Sequence, residues 1–232
     1  MPLKFTTTDR AGSLHGVKAL VYGAAGAGKT TLCSTAPTPI IFSAEAGLLS
    51  LRHHSIPVVL IESIDDLHEA YNWAMESAEA KDFETFCLDS ISEVAEVILS
   101  DAKRRSKDPR HAYGELSEST MTLLRRFRDI PGRHVLMSAK MAPVKDELNG
   151  SIAYVPSMPG RQLDIQLPYL FDEVFRLGLE KLPDGKDARF IQTVSDFQYT
   201  AKDRSGALDP REKPDFAYLI KKITGGAETK TP

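Results

Sequence analysis

The sequence predicts an α/β fold, a mostly parallel sheet between helices with a C-terminal antiparallel hairpin extension. Three observations point there. Short apolar runs rich in Val, Ile, Leu and Phe alternate with stretches of helical spacing over residues 17–139, the pattern of strands buried on both faces and joined by crossover helices. The first run leads straight into a glycine-rich turn, GAAGAGKT at 23–30. Beyond residue 170 two strand-like runs flank a tight polar turn, which reads as a hairpin.

Taken in order, VKALVYG (17–23) is the first strand and a helix follows from about Lys29. PIIFSAE (39–45) and PVVLIES (57–63) are further strands. From Asp65 to about Lys81 the spacing of Leu67, Ala70, Tyr71, Ala74 and Met75 gives a helix one apolar face. FETFCLDS (83–90) is a buried strand, succeeded by a helix through about Arg105. A second helix is expected from Gly114 to Arg128, and RHVLMSA (133–139) is another apolar strand. Residues 141–166, rich in Gly and Pro and without clear periodicity, read as a long loop, and such loops inside compact domains are usually functional. FDEVFRLGLEK, LPDGKD and ARFIQTVS make the hairpin, and PDFAYLIKKI is a last helix stopped by Gly225 and Gly226. The expected division is an arm at 1–16, one core at 17–224 and a tail at 225–232.

The 232 residues, 42% hydrophobic and 26% charged, suffice for one well-buried domain. No apolar run approaches the length of a membrane span, and MPLKFTTTDR lacks the apolar stretch of a signal peptide. With only Cys33 and Cys87, each inside a motif, the expected setting is the reducing cytoplasm, with no membrane partner. The net charge of −3 does not announce nucleic-acid binding, although 103–111 (KRRSKDPRH) and 125–134 (RRFRDIPGRH) are locally basic.

The chemistry starts at Gly23, Ala24, Ala25, Gly26, Ala27, Gly28, Lys29 and Thr30, which fit the phosphate-binding P-loop. Glycines allow successive backbone N–H groups to turn onto phosphates, and the start of the following helix adds its dipole. Lys29 is expected to reach the β- and γ-phosphates and the Thr30 hydroxyl to ligate Mg²⁺, so ATP and Mg²⁺ are the expected ligands. Thr31 completes the binding turn, and by standing where a third glycine would be needed it excludes a dinucleotide fingerprint. Asp89, ending the apolar run TFCLD, is the second metal residue. Glu45 ends the strand after the P-loop helix, at the sheet edge where ligands of α/β folds bind, and is the candidate general base for water. Ser138 and Lys140, ending HVLMSAK, are candidates to sense the γ-phosphate, with Lys140 preferred.

A small GTPase would need Asn-Lys-x-Asp, which does not occur, and Asp89 is followed by Ser-Ile-Ser instead of the Asp-x-x-Gly pattern. A small-molecule kinase could use 103–111 as a lid, but that leaves Glu45 and the hairpin unexplained. Together the P-loop, Glu45, the hydrophobic-Asp-Ser strand at 86–90 and the strand at 134–140 resemble the RecA/RadA-type ATPase core. More closely, over roughly residues 16–223 the chain resembles compact phage ATP-binding proteins related to RecA, including core-only single-strand-annealing recombinases of the Sak group.

That resemblance implies an ATPase that binds and hydrolyses ATP, assembles on single-stranded DNA and promotes annealing or homologous recombination, with a single-strand-binding protein as a further partner. Two loops would face DNA: one near 104–114, with Arg104, Arg105, Lys107 and Arg110, and 141–166, with Lys145, Tyr154 and Arg161. It also implies filaments or rings in which one subunit completes the active site of the next. Lys202 and Arg204, two apart on a strand and so on one side, would approach the neighbour's γ-phosphate, and Phe5 would anchor one subunit on another. The alternative is a nucleotide-dependent assembly or switch protein that engages a protein partner without DNA, which the acidic net charge favours; a small-molecule P-loop kinase ranks third.

Overall fold

The computed structural model describes residues 7, 15–45, 47–106, 108–145, 147 and 150–225, with the backbone alone at 109, 161 and 162. The expected arm, Phe5 included, lies outside them apart from residues 7, 15 and 16. Lys107 and the tail beyond Gly225 also lie outside.

Six strands form the parallel centre of the sheet: β1 (Lys18–Tyr22), β2 (Pro39–Ser43), β3 (Val58–Leu60), β4 (Thr85–Asp89), β5 (His134–Lys145) and β7 (Glu173–Lys181). β6 (Ile152–Ser157), β8 (Asp187–Gln192), β9 (Lys202–Asp203) and β10 (Arg211–Glu212) add antiparallel pairings at the margins. The order is β10-β8-β7-β1-β5-β4-β2-β3, with β6 on β5 and β9 on β7. β5 therefore lies between the strand of the glycine turn and the strand of Asp89.

Period-two alternation sorts each central strand between two cores. Leu20 and Tyr22 face one side with Phe42, Phe86, Phe127 and Phe171. Ala19 and Val21 face the other with Leu32, Cys33, Cys87, Leu136, Phe175 and Phe216. α2 (Ile64–Glu76), α3 (Ile91–Arg105) and α4 (Pro109–Arg128) cover the first face, while α1 (Lys29–Cys33) and α6 (Phe216–Ile223) cover the second. β1 and β4 are buried at every position, as strands covered on both faces must be.

Local signals place most helix starts. Ser63 and Asp66 form a capping box on α2, Ser90 caps α3 by accepting from the Glu93 N–H, and Asp215 caps α6. Gly225, at φ +64, follows the end of α6 in the left-handed conformation expected of a stop.

Four expectations are corrected. α4 begins at Pro109, not Gly114, because Asp108 caps it and proline suits the first helical position. Of the basic stretch near 104–114, Arg104 and Arg105 thus end α3 and residues 109–114 open α4 instead of forming a loop. The described residues of 141–166 are mostly not a loop either: β5 continues to Lys145 and pairs with β6, which is followed by α5 (Arg161–Gln166). Pro143 and Pro156, which disguised the ribbon, both fall in pairs of one parity (Pro143↔Tyr154, Met141↔Pro156), the parity at which a strand can do without the N–H. The helix from Asp65 stops at Glu76, where Ser77 turns extended, and Met75 lies exposed, off the apolar face. The helix expected from about Lys29 is present as α1, five residues long before the turn that precedes Pro37 and Pro39.

Candidate active site

The glycine turn leaves the carboxyl end of β1 at Gly23, where a Cβ would come within 2.7 Å of the Leu177 carbonyl. Gly26 and Gly28 hold φ +74 and +106, the left-handed region open to glycine. They fold the loop over its own lysine: Lys29 Nζ donates to the carbonyls of Gly23 and Ala24, each at 3.1 Å. Because α1 is so short, the cradle rests on backbone N–H groups more than on a helix dipole. Burial pushes the Lys29 ammonium below the usual lysine value, and the charges of Glu45 and Asp89 nearby partly offset that.

A cavity of about 560 Å³ opens over the loop. Gly23, Ala25, Gly26, Gly28, Lys29, Thr30 and Thr31 line it with Glu45, Gly47, Ser50, Lys140, Met141 and Arg189. Ala24 is exposed at the loop crest, and Ala27 is buried against the second core.

Glu45 is positioned by two serines from adjacent strands. Ser90, directly after Asp89, donates to Glu45 Oε1 at 2.7 Å. Ser43, at the end of β2, donates to the Glu45 carbonyl at 2.6 Å. The register Ser43↔Asp89 and the bond from the Ala44 N–H to the Asp89 carbonyl (3.0 Å) bring the two acids to one edge. Asp89 is only 2% exposed and accepts a hydrogen bond from Ser138 on β5. The peptide between Asp89 and Ser90 is cis.

The two sensor candidates thus part company. Ser138 is buried and spent on Asp89. Lys140 lines the cavity, but its ammonium pairs with Glu93 of α3, which raises its pKa. Lys202 and Arg204 lie at the other end of the sheet, because β9 pairs with Glu173 and Val174 at the start of β7. Lys202 Nζ donates to the Pro168 carbonyl at 2.8 Å, and Arg204 Nη1 to Asp172 Oδ1 at 2.7 Å. In one chain neither lines the phosphate cavity.

The residues expected to face DNA are dispersed. Arg105 is held by Asp101 (2.7 Å) and Glu115 (2.6 Å), and Arg104 sits 3.7 Å from Asp101. Arg110 and Lys145 are exposed. Tyr154 stacks on Tyr199 with ring centroids 5.2 Å apart, a packing role for that ring. Lys107 and the side chain of Arg161 lie outside the described residues.

Sequence reasoning passed over Ser43, Ser90 and Arg189 as site residues. The serines were legible only as neighbours of Glu45 and Asp89; Arg189 carried no motif. Thr30 and Asp89 offer a hydroxyl and a carboxylate, the hard oxygen donors that suit Mg²⁺ held mainly by nucleotide phosphates. When bound, such an ion would draw charge off the phosphates. Glu45, fixed at the cavity wall by Ser90, can accept a proton from water.

A loop with left-handed glycines over a lysine, a buried aspartate on a strand removed by one from the loop strand, and a glutamate at the same edge define a RecA-like P-loop ATPase core. The AAA_24 family, described as an AAA domain, matches residues 15–205. The chain belongs to that family. No curated protein matches it. Among solved structures, a KaiC-like protein from the hyperthermophilic archaeon Pyrococcus horikoshii OT3 is similar at 16% identity, covering 77% of this chain and 78% of that one with a TM-score of 0.44; so distant a likeness adds no argument of its own. No described helix is long and apolar enough to cross a membrane.

Proposed function

We propose that this ATPase couples ATP turnover to assembly on single-stranded DNA, in the manner of core-only annealing ATPases of phage recombination. Hydrolysis is carried by one observation: Glu45, held by Ser90, shares a cavity with Lys29 and Thr30. Water activated by Glu45 attacks the terminal phosphorus in line, the bond to the bridging oxygen breaks, and ADP leaves with inorganic phosphate. Lys202 and Arg204 face away from their own cavity, so their use on a nucleotide requires a second copy of the chain. Assembly then governs hydrolysis by delivering cations where charge develops. The exposed cations Arg110 and Lys145 support contact with a phosphate backbone.

A second reading, a nucleotide-dependent switch acting on a protein partner, is favoured by one specific feature. Arg104 and Arg105, central to the basic stretch, are already matched by Asp101 and Glu115. ATP turnover measured with and without single-stranded DNA across a salt series separates the two. Stimulation that weakens steeply with salt is expected for the first. Turnover rising with protein concentration but indifferent to DNA would overturn it in favour of the switch.

A further inference from the structure

Arg189 reaches the phosphate cavity from a part of the chain that carries no nucleotide motif. It stands on β8, opposite Leu179 of β7, and its side chain crosses to the glycine turn. Its Nε donates to the Ala27 carbonyl at 2.8 Å. A Cβ added at Gly28 would lie 3.1 Å from that Nε and 3.2 Å from Cδ, so the arginine lies directly on the loop. Glycine at 28 therefore has two reasons: a φ of +106, and room for this side chain. Two residues on, Ile191 is buried on the same side with Ala27 and Leu32, which fixes the strand against the loop.

We propose that Arg189 is a phosphate-binding residue of the nucleotide site, a guanidinium delivered by the hairpin onto the polyphosphate of the bound nucleotide. The assignment rests on reading the cavity as that site. A surface arginine ordinarily samples many rotamers, whereas this one is tethered by Nε, which leaves its two Nη groups as a fork of the kind that grips phosphate oxygens. Among the described residues those Nη groups have no hydrogen-bond partner and Arg189 has no ion pair. The other cavity cations differ: Lys140 is neutralised by Glu93, and Lys29 is held by two carbonyls. Arg189 thus contributes uncompensated positive charge and a directed fork, which a lysine could not reproduce. No counterpart is needed from a second subunit, so this contact acts within one chain.

The test is titration of the full chain with fluorescent ADP and ATP analogues, using Arg189→Gln, Arg189→Lys and Lys29→Ala, with the melting temperature of each nucleotide-free variant recorded. Arg189→Gln is expected to weaken both nucleotides roughly tenfold, the scale of one charge-assisted contact, without lowering the nucleotide-free melting temperature. Arg189→Lys is expected to recover only part of the loss, because it keeps the charge but not the tethered fork. Affinity within twofold of the parent for Arg189→Gln, while Lys29→Ala abolishes binding, would overturn the proposal and leave the nucleotide site standing. Full recovery by Arg189→Lys would overturn it too. Unchanged binding in Lys29→Ala would sink the site itself and the proposal with it.

Discussion

At the carboxyl ends of β1, β2 and β4, Lys29 and Glu45 line an open cavity, with Asp89 buried behind them under Ser138. At the amino ends of β1, β5 and β7, Lys18, His134 and Glu173 are sealed in, at 4%, 3% and 1% exposure. The sheet thus carries ionisable groups at both ends, with different consequences. Burial pushes Lys18 down to about 7 and His134 down to about 4, while Glu173, desolvated beside Asp203, is pushed up to about 8. Lys18 and His134 serve there as hydrogen-bonding parts, whereas Glu173 Oε2 is buried without a partner among the described residues. Lys18 donates to the Ile130 and Arg133 carbonyls beyond the end of α4, and His134 Nδ1 accepts the Val17 N–H at 3.0 Å. At the cavity end Lys29 and Glu45 are only partly buried, and the charges of Glu45 and Asp89 partly offset the burial of Lys29. The candidate site lies at the end where Lys29 and Glu45 reach the cavity.

The largest effect expected concerns that cavity end. Lys29→Ala removes the lysine folded under the loop and should weaken nucleotide binding by about 100-fold or more, read by the same titration; ordinary affinity would break the comparison outright. Glu45→Gln comes next. Nucleotide affinity should be retained while turnover falls by roughly 10²–10⁴, the range for losing a general base. Normal hydrolysis by that variant would remove Glu45 from the chemistry and leave its bond with Ser90 as scaffold.

Changes at the other end should act through assembly or stability, and less steeply. Replacing both Lys202 and Arg204 by Ala should spare ATP binding and suppress turnover that rises with protein concentration. Mixing that variant with Lys29→Ala should restore part of the rate at hybrid interfaces. A mixture no more active than its parts would sharpen the comparison by confining these two cations to their contacts with Pro168 and Asp172.

The smallest effect is a pH dependence. A carboxyl raised to about 8 from its ordinary 4.5 keeps its proton in the folded state and loses it in the unfolded one, so its contribution declines as pH rises from about 4.5 to 8. A histidine lowered from 6.5 to about 4 works the other way, with stability rising between those values. Between about pH 4.5 and 6.5 the two slopes oppose each other. Glu173→Gln should therefore leave urea-unfolding stability that climbs with pH across that window and should be more stable than the parent near pH 8. An unchanged profile would show that Glu173 ionises normally.

Much of this was legible because it is local. Apolar alternation marked the strands, GAAGAGKT requires its own backbone geometry, and Ser63, Ser90 and Asp215 announce helix starts through short-range bonds. Where local signals conflict, the sequence misleads. Pro143, Gly150 and Pro156 disguised a β-ribbon as a loop, and Pro109, a helix starter, hid the first turn of α4 behind basic residues.

By itself, then, the sequence determined the class of fold, the phosphate loop and two acids at strand ends, since periodicity and glycine stereochemistry act over a few residues. Tertiary structure decided which partners those groups meet: Ser90 on Glu45, Ser138 on Asp89, Glu93 on Lys140, Arg189 across the loop, and Lys202 with Arg204 at the far end. These depend on strand order and register, and hydrogen bonds spanning 45 to 162 residues leave no period in a chain.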